Sequence, residues 1–567
     1  MHSQGLKGPV LSVRDLSVDA RTPTGLKRIL DAVSFDLTAG ETLCLAGESG
    51  SGKSVTSLAV MGLLPKASLP VTAGEIRLGD LDLTRTSEQM MRSIRGGQIA
   101  MIFQEPMTSL NPVMTIGAQL TEAIRAHRQG LTESPETVAR HMLDAVHMTD
   151  PARRLTQYPH ELSGGMRQRV MIAMALSCRP KVLIADEPTT ALDVTVQAQI
   201  LKLMRELRHE FQTSILMITH DMGVVAEMAD RVAIMQSGRI VEQGPVLDIF
   251  QRPAQAYTQQ LLAAVPRLGA LAGTDAPPRV SAAPIAPAPL PIPVLEVADL
   301  SVTYGRKTGW LHRGQPPEPT VTGVSFTLKA GETLGLVGES GSGKSTTGKA
   351  VLGLIPFEGS VRIACQEVFP SASSAIMRPI RRAAQMIFQD PYASLDPRMS
   401  VGAAIAEPLV IHSIGTKADR RDKVAELLRC VGLTPDAAER YPHEFSGGQR
   451  QRICIARALA LEPKLIVADE SVAALDVSVR ARVLDLMLEL QERMGLAYLF
   501  ISHDMAVIEK MSHHVAVMRA GRIVEIGTRR AVFETPSDPY TRALMAAVPV
   551  PDPAQYRGRR EVQREEA

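Results

Sequence analysis

Apolar residues in this chain fall into short runs that alternate with stretches of helical spacing. Residues 182–185 and 465–468 are continuous apolar runs, as in strands buried on both faces of a parallel sheet. Residues 41–46 form a strand-like run that leads into a glycine-rich turn, and residues 54–64 then carry apolar side chains at helical spacing. Strands and helices in this alternation predict an α/β core whose sheet is covered on both faces.

The pattern occurs twice. Three segments of the first half return in the same order in the second: residues 11–18 as 295–302, 47–54 as 338–345, and 218–221 as 501–504. The spacing is far too long for a solenoid repeat, so it predicts two duplicated domains. The predicted organisation is a first domain at 1–269, a Pro/Ala-rich linker at 270–293, a second domain at 294–551 and a charged, disordered tail at 552–567.

Composition narrows the class of protein. The 567 residues are 45% hydrophobic and 22% charged, which is typical of well-packed globular domains. A net charge of +2 gives no general attraction to nucleic acid or anionic lipid. The five cysteines are scattered without a CxxC pair, which indicates a reduced compartment and no metal cluster. With no secretory signal and no apolar run of about 20 residues, any membrane crossing is expected to belong to another chain.

Two glycine-rich loops carry the GxxxxGKS pattern that holds nucleotide phosphates. Their glycines let successive backbone N–H groups point at the phosphates, and the following helix adds its positive dipole end. Lys53 and Lys344 are expected to reach the β- and γ-phosphates, and Ser54 and Ser345 to ligate Mg²⁺. The predicted ATP-binding residues are Gly47, Glu48, Ser49, Gly50, Ser51, Gly52, Lys53, Ser54 and Val55, and Gly338, Glu339, Ser340, Gly341, Ser342, Gly343, Lys344, Ser345 and Thr346.

A pair of carboxylates follows each apolar run: Asp186 with Glu187, and Asp469 with Glu470. The first of each pair is expected near the Mg²⁺ ion. The second can polarise or deprotonate the attacking water. An ordinary strand end or a helix N-cap is the alternative, but the position of both pairs behind matching phosphate loops favours catalysis.

Residues 162–169 and 445–452, LSGGMRQR and FSGGQRQR, resemble the signature motif of ATP-binding-cassette ATPases, and the resemblance spans nearly the whole chain. It implies two tandem P-loop NTPase domains, each with a RecA-like core, an antiparallel β subdomain and an α-helical subdomain. It also implies that each signature closes over the γ-phosphate bound by the opposite half, giving two composite sites. The implied signature contacts are Ser163, Gly164, Gly165, Ser446, Gly447 and Gly448.

The resemblance assigns roles to further residues. Gln104 and Gln389 match the glutamine that senses Mg²⁺, the water and the transporter channel. His220 and His503 match the histidine that contacts the γ-phosphate; a lone histidine would be interpreted as structural, but both follow apolar runs at equivalent places. The implied metal ligands are Ser54, Gln104, Asp186, Ser345, Gln389 and Asp469.

The resemblance narrows to the dipeptide, oligopeptide and nickel importer branch. Its marks are the FQEPMTSLNP and FQDPYASLDP stretches, the Tyr-Pro-His-Glu that precedes each signature, and the Tyr-Thr segments at 257–258 and 540–541. It implies an ATPase subunit that energises a bacterial importer of peptides or a related solute. The implied partners are two integral-membrane permeases and a periplasmic or extracellular solute-binding protein, not nucleic acid. The implied location is peripheral, at the cytoplasmic face of the inner membrane.

The chain departs from this branch at two points that carry predictions. The branch often has a cysteine cluster after the Tyr-Thr segment; this chain has none there, so no iron–sulfur cluster is expected. Tyr304 stands where the family stacks an aromatic ring on adenine, but the first half has Ala20 there, while Phe35 aligns with core-like Phe326. Losing the stack costs roughly 1 kcal/mol, which predicts weaker ATP binding at the first site.

The alternative function class is a soluble protein with two cassettes. Soluble proteins with two cassettes that act on ribosomes or DNA usually have a charged helical linker or zinc-binding cysteines. This linker is uncharged apart from Asp275 and Arg279. A non-catalytic scaffold is disfavoured because each hydrolytic residue is present twice.

Overall fold

The computed structural model describes residues 8–23, 25–104, 109–127, 133–190, 192–280, 293–304 and 318–556. The chain forms two compact units: unit 1 contains residues 1–265 and 549–567, and unit 2 contains residues 266–548. Residues 281–292 of the predicted linker and 557–567 of the predicted tail lie outside the described residues.

Unit 1 alternates strands and helices. Its strands are β1 (Leu11–Thr22), β2 (Gly25–Leu37), β3 (Thr42–Ala46), β4 (Val71–Leu78), β5 (Leu81–Asp82), β6 (Ile99–Ile102), β7 (Val182–Asp186), β8 (Ser214–Thr219), β9 (Arg231–Gln236) and β10 (Arg239–Pro245). Its helices are α1 (Lys53–Val60), α2 (Glu88–Ile94), α3 (Ile116–His127), α4 (Pro135–Ala145), α5 (Pro151–Thr156), α6 (Gly164–Leu176), α7 (Val194–Phe211), α8 (Met222–Met228), α9 (Val246–Gln251) and α10 (Ala256–Ala264). A 3-10 turn at Pro553–Tyr556 also belongs to this unit.

Unit 2 repeats this order. Its strands are β11 (Pro293–Val302), β12 (Val321–Lys329), β13 (Thr333–Val337), β14 (Glu358–Ile363), β15 (Gln366–Glu367), β16 (Ala384–Ile387), β17 (Leu465–Asp469), β18 (Ala497–Ile501), β19 (His514–Arg519) and β20 (Arg522–Thr528). Its helices are α11 (Lys344–Val351), α12 (Ser374–Ala383), α13 (Pro391–Ser394), α14 (Val401–Ile411), α15 (Lys417–Cys430), α16 (Gly447–Leu459), α17 (Val477–Met494), α18 (Met505–Met511), α19 (Arg529–Glu534) and α20 (Pro539–Ala546).

The main sheet of each unit has its central strands buried at every position. In unit 1 the order is β10-β9-β3-β8-β7-β6, parallel except for the antiparallel edge strand β10. Strands β3, β7 and β8 are fully buried, which explains their continuous apolar sequences. Unit 2 has the matching order β16-β17-β18-β13-β19-β20. The segments after β3, β7 and β8 leave the same carboxyl edge, where ligands bind in open α/β sheets.

A second, antiparallel sheet packs its apolar face inward. Its strand order is β2-β1-β4-β5 in unit 1 and β12-β11-β14-β15 in unit 2. Phe35 is 2% exposed and lies in the core shared by β1, β2 and α1, as predicted for a packing residue. The predicted α/β fold with an antiparallel subdomain is therefore confirmed in both units.

A group of helices, α3 to α6 in unit 1 and α14 to α16 in unit 2, lies in sequence between the predicted glutamine and the carboxylate pair. Helix α4 begins after Ser134, whose hydroxyl accepts the Thr137 N–H, and Pro135 occupies its first turn. These helices bury Leu120 and Leu143 against the main core. No helix in the described part of the chain is long and apolar enough to cross a membrane.

Candidate active sites

The phosphate loops hold their lysines in place through backbone oxygens. The Lys53 ammonium donates to the carbonyl oxygens of Gly47 and Glu48, both at 2.8 Å, and lies 3.3 Å from the Ser51 hydroxyl. Gly47 cannot be replaced easily, because its φ is +147° and an added Cβ would lie 2.2 Å from the Met235 carbonyl oxygen. The lysine therefore lies inside its own loop, where nucleotide phosphates would be expected.

The second loop has the same geometry. The Lys344 ammonium donates to the carbonyl oxygens of Gly338 and Glu339 at 2.8 Å each. Each loop also receives support that the sequence did not reveal. The backbone N–H of Glu339 donates to the Tyr540 hydroxyl at 3.3 Å, as the Glu48 N–H does to the Tyr257 hydroxyl at the same distance. The tyrosine of each Tyr-Thr segment thus accepts a hydrogen bond from the backbone of a phosphate loop.

A serine and an aspartate meet beside each loop. The Ser54 hydroxyl lies 3.1 Å from Oδ1 of Asp186, and the Ser345 hydroxyl lies 2.7 Å from Oδ1 of Asp469. Burial raises the pKa of both carboxyls, so a nearby cation would favour their charged form. Hydroxyl and carboxylate oxygens are the donors that Mg²⁺ prefers, and these residues fit that ion.

The predicted catalytic glutamate of unit 1 has a hydrogen-bond partner on each oxygen. Oε1 of Glu187 lies 2.9 Å from His220 Nδ1. Oε2 accepts the Gln104 amide at 2.8 Å and the Thr190 hydroxyl at 2.9 Å. The Glu187 backbone is left-handed, with φ 47°, and its N–H donates to the Ile218 carbonyl on the next strand. The strained backbone and these partners fix the carboxylate in one orientation.

In unit 2 the corresponding glutamate has fewer partners. Glu470 is also left-handed, with φ 44°, accepts the Gln389 amide at 2.7 Å and lies 3.3 Å from His503 Nδ1. Ala473 occupies the position of Thr190, so the third hydrogen bond has no counterpart. Gly348 likewise replaces Ser57, whose hydroxyl lies 3.4 Å from the Asp186 carboxylate.

Electrostatics favours the charged form of both glutamates. At Glu187 burial is the largest single effect and raises the pKa, but the hydrogen bond and charge of His220, the Thr190 hydrogen bond and the Lys53 charge all lower it, and the net pKa is lowered. At Glu470 the hydrogen bond with His503 is the largest effect and lowers the pKa. The same bond raises the pKa of His503. A carboxylate kept charged beside a histidine can accept a proton from water.

The signature residues lie at helix N-termini. Ser163 caps α6 and its hydroxyl accepts the Met166 N–H, while Ser446 caps α16 and accepts the Gln449 N–H, both at 3.4 Å. The glycines that follow pack closely: an added Cβ at Gly165 would lie 2.6 Å from Val196, and the spacing at Gly448 is tighter still. Each signature thus presents the N-terminus of a helix, which suits an anion.

The predicted adenine contact differs between the units. The Tyr304 ring is 51% exposed, and its hydroxyl lies 3.5 Å from the Thr346 hydroxyl at the start of α11. Ala20 lies on β1 opposite Lys27 and offers only a methyl group. An exposed ring beside the phosphate loop is therefore present in unit 2 and is replaced by alanine in unit 1.

Sequence reasoning missed two hydroxyls that contact the predicted carboxylates. Thr190 and Ser57 reach the carboxylates of Glu187 and Asp186 through single hydroxyls. Ser57 lies three residues after Ser54, and Thr190 lies three residues after Glu187. This spacing was the signal in the sequence that could have found them. The predicted groups themselves lie together: loop lysine, serine, carboxylate pair, glutamine and histidine occupy one edge of each sheet.

Comparison with known proteins places this geometry in a family. Residues 30–190 and 321–473 match the model named ABC transporter. The chain belongs to the ABC transporter family. Residues 241–286 and 524–567 match the model for the oligopeptide/dipeptide transporter C-terminal region. The predicted membership of this branch, with two tandem ATPase cassettes, is thereby confirmed.

Relatives of this ABC protein cover nearly its whole length. Glutathione import ATP-binding protein GsiA of Salmonella choleraesuis (strain SC-B67) is 54% identical over 97% of this chain and 91% of that protein. The protein of the same name from Escherichia coli (strain K12) is 52% identical over 99% of this chain and 93% of its own length. A solved structure of cbiO1 from Clostridium perfringens, part of the ABC transporter complex cbiONQ, is 24% identical, with a TM-score of 0.38 over 43% of this chain and 91% of that one.

Proposed function

We propose that this chain is the ATP-hydrolysing subunit of a bacterial ABC importer for peptides, glutathione or a related small solute. The observation that carries the proposal is the duplicated arrangement of a buried Ser–Asp pair and a Glu–Gln–His network beside each phosphate loop. The relatives named for glutathione import and the match to the oligopeptide/dipeptide C-terminal region support the substrate class.

In the proposed first site, Lys53 binds the β- and γ-phosphates from inside its loop. Ser54 and Asp186, with Gln104, would hold Mg²⁺, and that ion would neutralise phosphate charge. Glu187 accepts hydrogen bonds from Gln104 and His220 and is thereby aimed at the attacking water. Most of the catalytic effect would come from positioning and charge stabilisation.

The second site uses the equivalent groups. Lys344, Ser345, Gln389, Asp469, Glu470 and His503 take the roles of the first set. Following the family pattern, Ser446 and its glycines serve the nucleotide bound in the first half, and Ser163 and its glycines serve the second. ATP binding would close the halves and hydrolysis would reopen them. Both sites are expected to hydrolyse, because both retain the glutamate.

The proposed partners are two integral-membrane permeases, contacted by the helices before each signature, and an extracytoplasmic solute-binding protein. The chain would act peripherally at the cytoplasmic face of the inner membrane, without nucleic acid. The second candidate, a ribosome- or DNA-associated ATPase, has no specific observation in its favour. The bound groups would be ATP and Mg²⁺, without an iron–sulfur cluster, because no cysteine lies at residues 259–293 or 542–567.

The test is uptake of labelled glutathione and labelled dipeptides in the source strain after deletion of this gene. Complementation with the wild-type gene is expected to restore uptake of at least one of them. The double variant Glu187→Gln, Glu470→Gln is expected to restore none, because neither site can activate water. Glu210→Gln, a matched change at an exposed glutamate of α7, is expected to restore fully. Unchanged uptake of both solutes in the deletion strain contradicts the proposed substrate class.

A further inference from the structure

In each cassette, the short segment that follows the last helix belongs to the opposite compact unit. Helix α10 ends unit 1 near Val265, and residues 266–280, which follow it, belong to unit 2. Helix α20 lies in unit 2, and residues 549–556, which follow it, belong to unit 1. We call residues 266–280 the first exchanged segment and 549–556 the second exchanged segment.

The first exchanged segment is held in unit 2 by a buried arginine. Arg529, the first residue of α19, is 1% exposed. Its guanidinium donates to the Ala276 carbonyl at 3.1 Å, to the Leu271 carbonyl at 3.5 Å, and to the backbone carbonyl and hydroxyl of Thr274. A buried guanidinium needs acceptors, and the exchanged segment supplies these four. Without the segment, this charge would lose those acceptors.

Three carboxylates bind the backbone of the same segment. Glu509, buried in α18, accepts the Gly269 N–H at 2.7 Å. Glu534 accepts the Gly273 N–H at 2.6 Å, and Glu492 accepts the Val280 N–H at 3.0 Å. The contacts therefore run from one end of the segment to the other. This is the hydrogen bonding of a docked segment rather than of a free connection between domains.

The second exchanged segment docks on unit 1 in an apolar way. The Pro549 carbonyl oxygen lies 2.8 Å from where a Cβ on Gly223 would be, so α8 has a glycine where the segment passes. Pro551 and Pro553 are buried, and the Val550 N–H donates to the Tyr556 hydroxyl at 2.9 Å. The turn at Pro553–Tyr556 contacts α8 and α9.

The two docking surfaces differ although they derive from equivalent helices. Unit 1 has Ala226 and Val246 at the positions of Glu509 and Arg529, and all four are buried. The first exchanged segment thus binds a charged surface, and the second binds an apolar one. Neither surface matches the other segment, which makes the exchange specific.

We propose that the two exchanged segments keep the halves of this chain associated when no nucleotide is bound. Each segment continues directly from a helix of one unit and lies in the other, so the chain passes between the units at two places, after Val265 and after Val548. This association would let the ATP sites reopen after hydrolysis without the halves separating. It goes beyond the proposed import function, since it requires neither hydrolysis nor a particular solute.

The experiment uses the full-length chain with a protease site placed at residues 288–292. Cleavage there leaves each fragment carrying the segment that docks on the other. After removal of nucleotide and cleavage, size-exclusion chromatography and native mass spectrometry at submicromolar concentration are expected to show the two fragments together. Separation of the wild-type fragments under these conditions overturns the proposal.

A replacement in the segment itself avoids damage to the folded units. Replacing residues 269–280 by a Gly/Ser sequence of equal length keeps the backbone groups but removes Pro277, Pro278 and the Thr274 hydroxyl, so the free segment loses more conformational entropy when it docks. This replacement is expected to weaken nucleotide-free association of the cleaved fragments by on the order of 10- to 100-fold. The same replacement at residues 281–287 is the matched control and is expected to leave association unchanged. Arg529→Leu should weaken it as well, whereas Arg522→Leu, at an exposed position of β20, should not. Equal association of the 269–280 and 281–287 replacements overturns the role of the first exchanged segment.

Discussion

The difference between Ala20 and Tyr304 predicts unequal ATP binding at the two sites. A tyrosine side chain has roughly 200 Å² of surface. Tyr304 is 51% exposed, so about half of this surface is open. One of the two ring faces accounts for about half of the open surface, which leaves about 50 Å² for contact with an adenine. At about 25 cal/mol per Å², covering that face contributes about 1 kcal/mol. A free energy of this size corresponds to roughly a fivefold difference in Kd.

The assay is isothermal titration with ATP at low temperature, with one site disabled at a time. The Lys53→Ala variant leaves the Tyr304 site, and Lys344→Ala leaves the Ala20 site; we expect the first to bind ATP about fivefold more tightly. Adding Ala20→Tyr to Lys344→Ala should remove most of the gap. Leu26→Tyr is the control, because it adds a ring to the same β1–β2 hairpin on the opposite face.

Two results would refute this reasoning. Equal affinities of the Lys53→Ala and Lys344→Ala variants would mean that the exposed Tyr304 ring does not contact the base. An equal gain from Ala20→Tyr and Leu26→Tyr would mean that any added ring near the hairpin helps, independent of position. Either outcome removes the adenine contact as the source of asymmetry.

Two further predictions concern the carboxylate networks. The first is Thr190→Ala, made in a Glu470→Gln background so that only the first site turns over; it should lower ATPase activity about fivefold, since Glu187 loses one fixed partner. Thr190→Ser keeps the hydroxyl and should recover most of the activity. Unchanged ATPase activity in Thr190→Ala would contradict a positioning role for this hydroxyl. The second concerns the ion pair of His503 with Glu470. Because the pKa of His503 is raised, the stabilisation by this pair is fully present just below pH 6.5 and is lost as pH rises through the raised pKa. At the acid end the stabilisation is lost as pH falls through the lowered pKa of Glu470. An NMR titration of His503 should give a midpoint above 6.5 that returns toward 6.5 in Glu470→Gln but not in the surface control Glu489→Gln, and an unchanged midpoint in Glu470→Gln would count against the pair.

Contiguous motifs in the sequence were enough to predict which residues lie together at the carboxyl edge of each main sheet, because each motif contains a strand end and the turn after it. A glycine-rich loop between a buried strand and a helix has one geometry. Asp186 ends β7, which lies between β8 and β6 and is buried at every position, and Glu187 follows it directly. Thr190 could not be assigned in the same way, because a single hydroxyl after a strand is common and its partner is known only once Glu187 has its left-handed backbone. The supporting groups therefore needed the structure.

The exchanged segments show a second limit of sequence reasoning. Composition indicates that a Pro/Ala-rich stretch forms neither helix nor strand, but it does not indicate which surface receives it. The residues that receive the first exchanged segment, Arg529 and Glu509, are charged residues in short helices, and a sequence pattern assigns such residues to solvent. Only the tertiary contacts reveal that both are buried and bound to the backbone of residues 269–276.

The two units differ around the proposed reacting groups rather than at them. Site 1 gains a third hydrogen bond at its glutamate from Thr190 but has Ala20 at the adenine position, whereas site 2 has Ala473 and Tyr304. The first combination favours a well-oriented carboxylate with weaker nucleotide retention, and the second favours retention with a less constrained carboxylate. In a pair of identical cassettes both sites would have the same residues. Here the two cassettes are separate parts of one chain, so a residue can change in one site without changing in the other. We therefore expect site 2 to keep its nucleotide longer and site 1 to exchange it more often in each cycle.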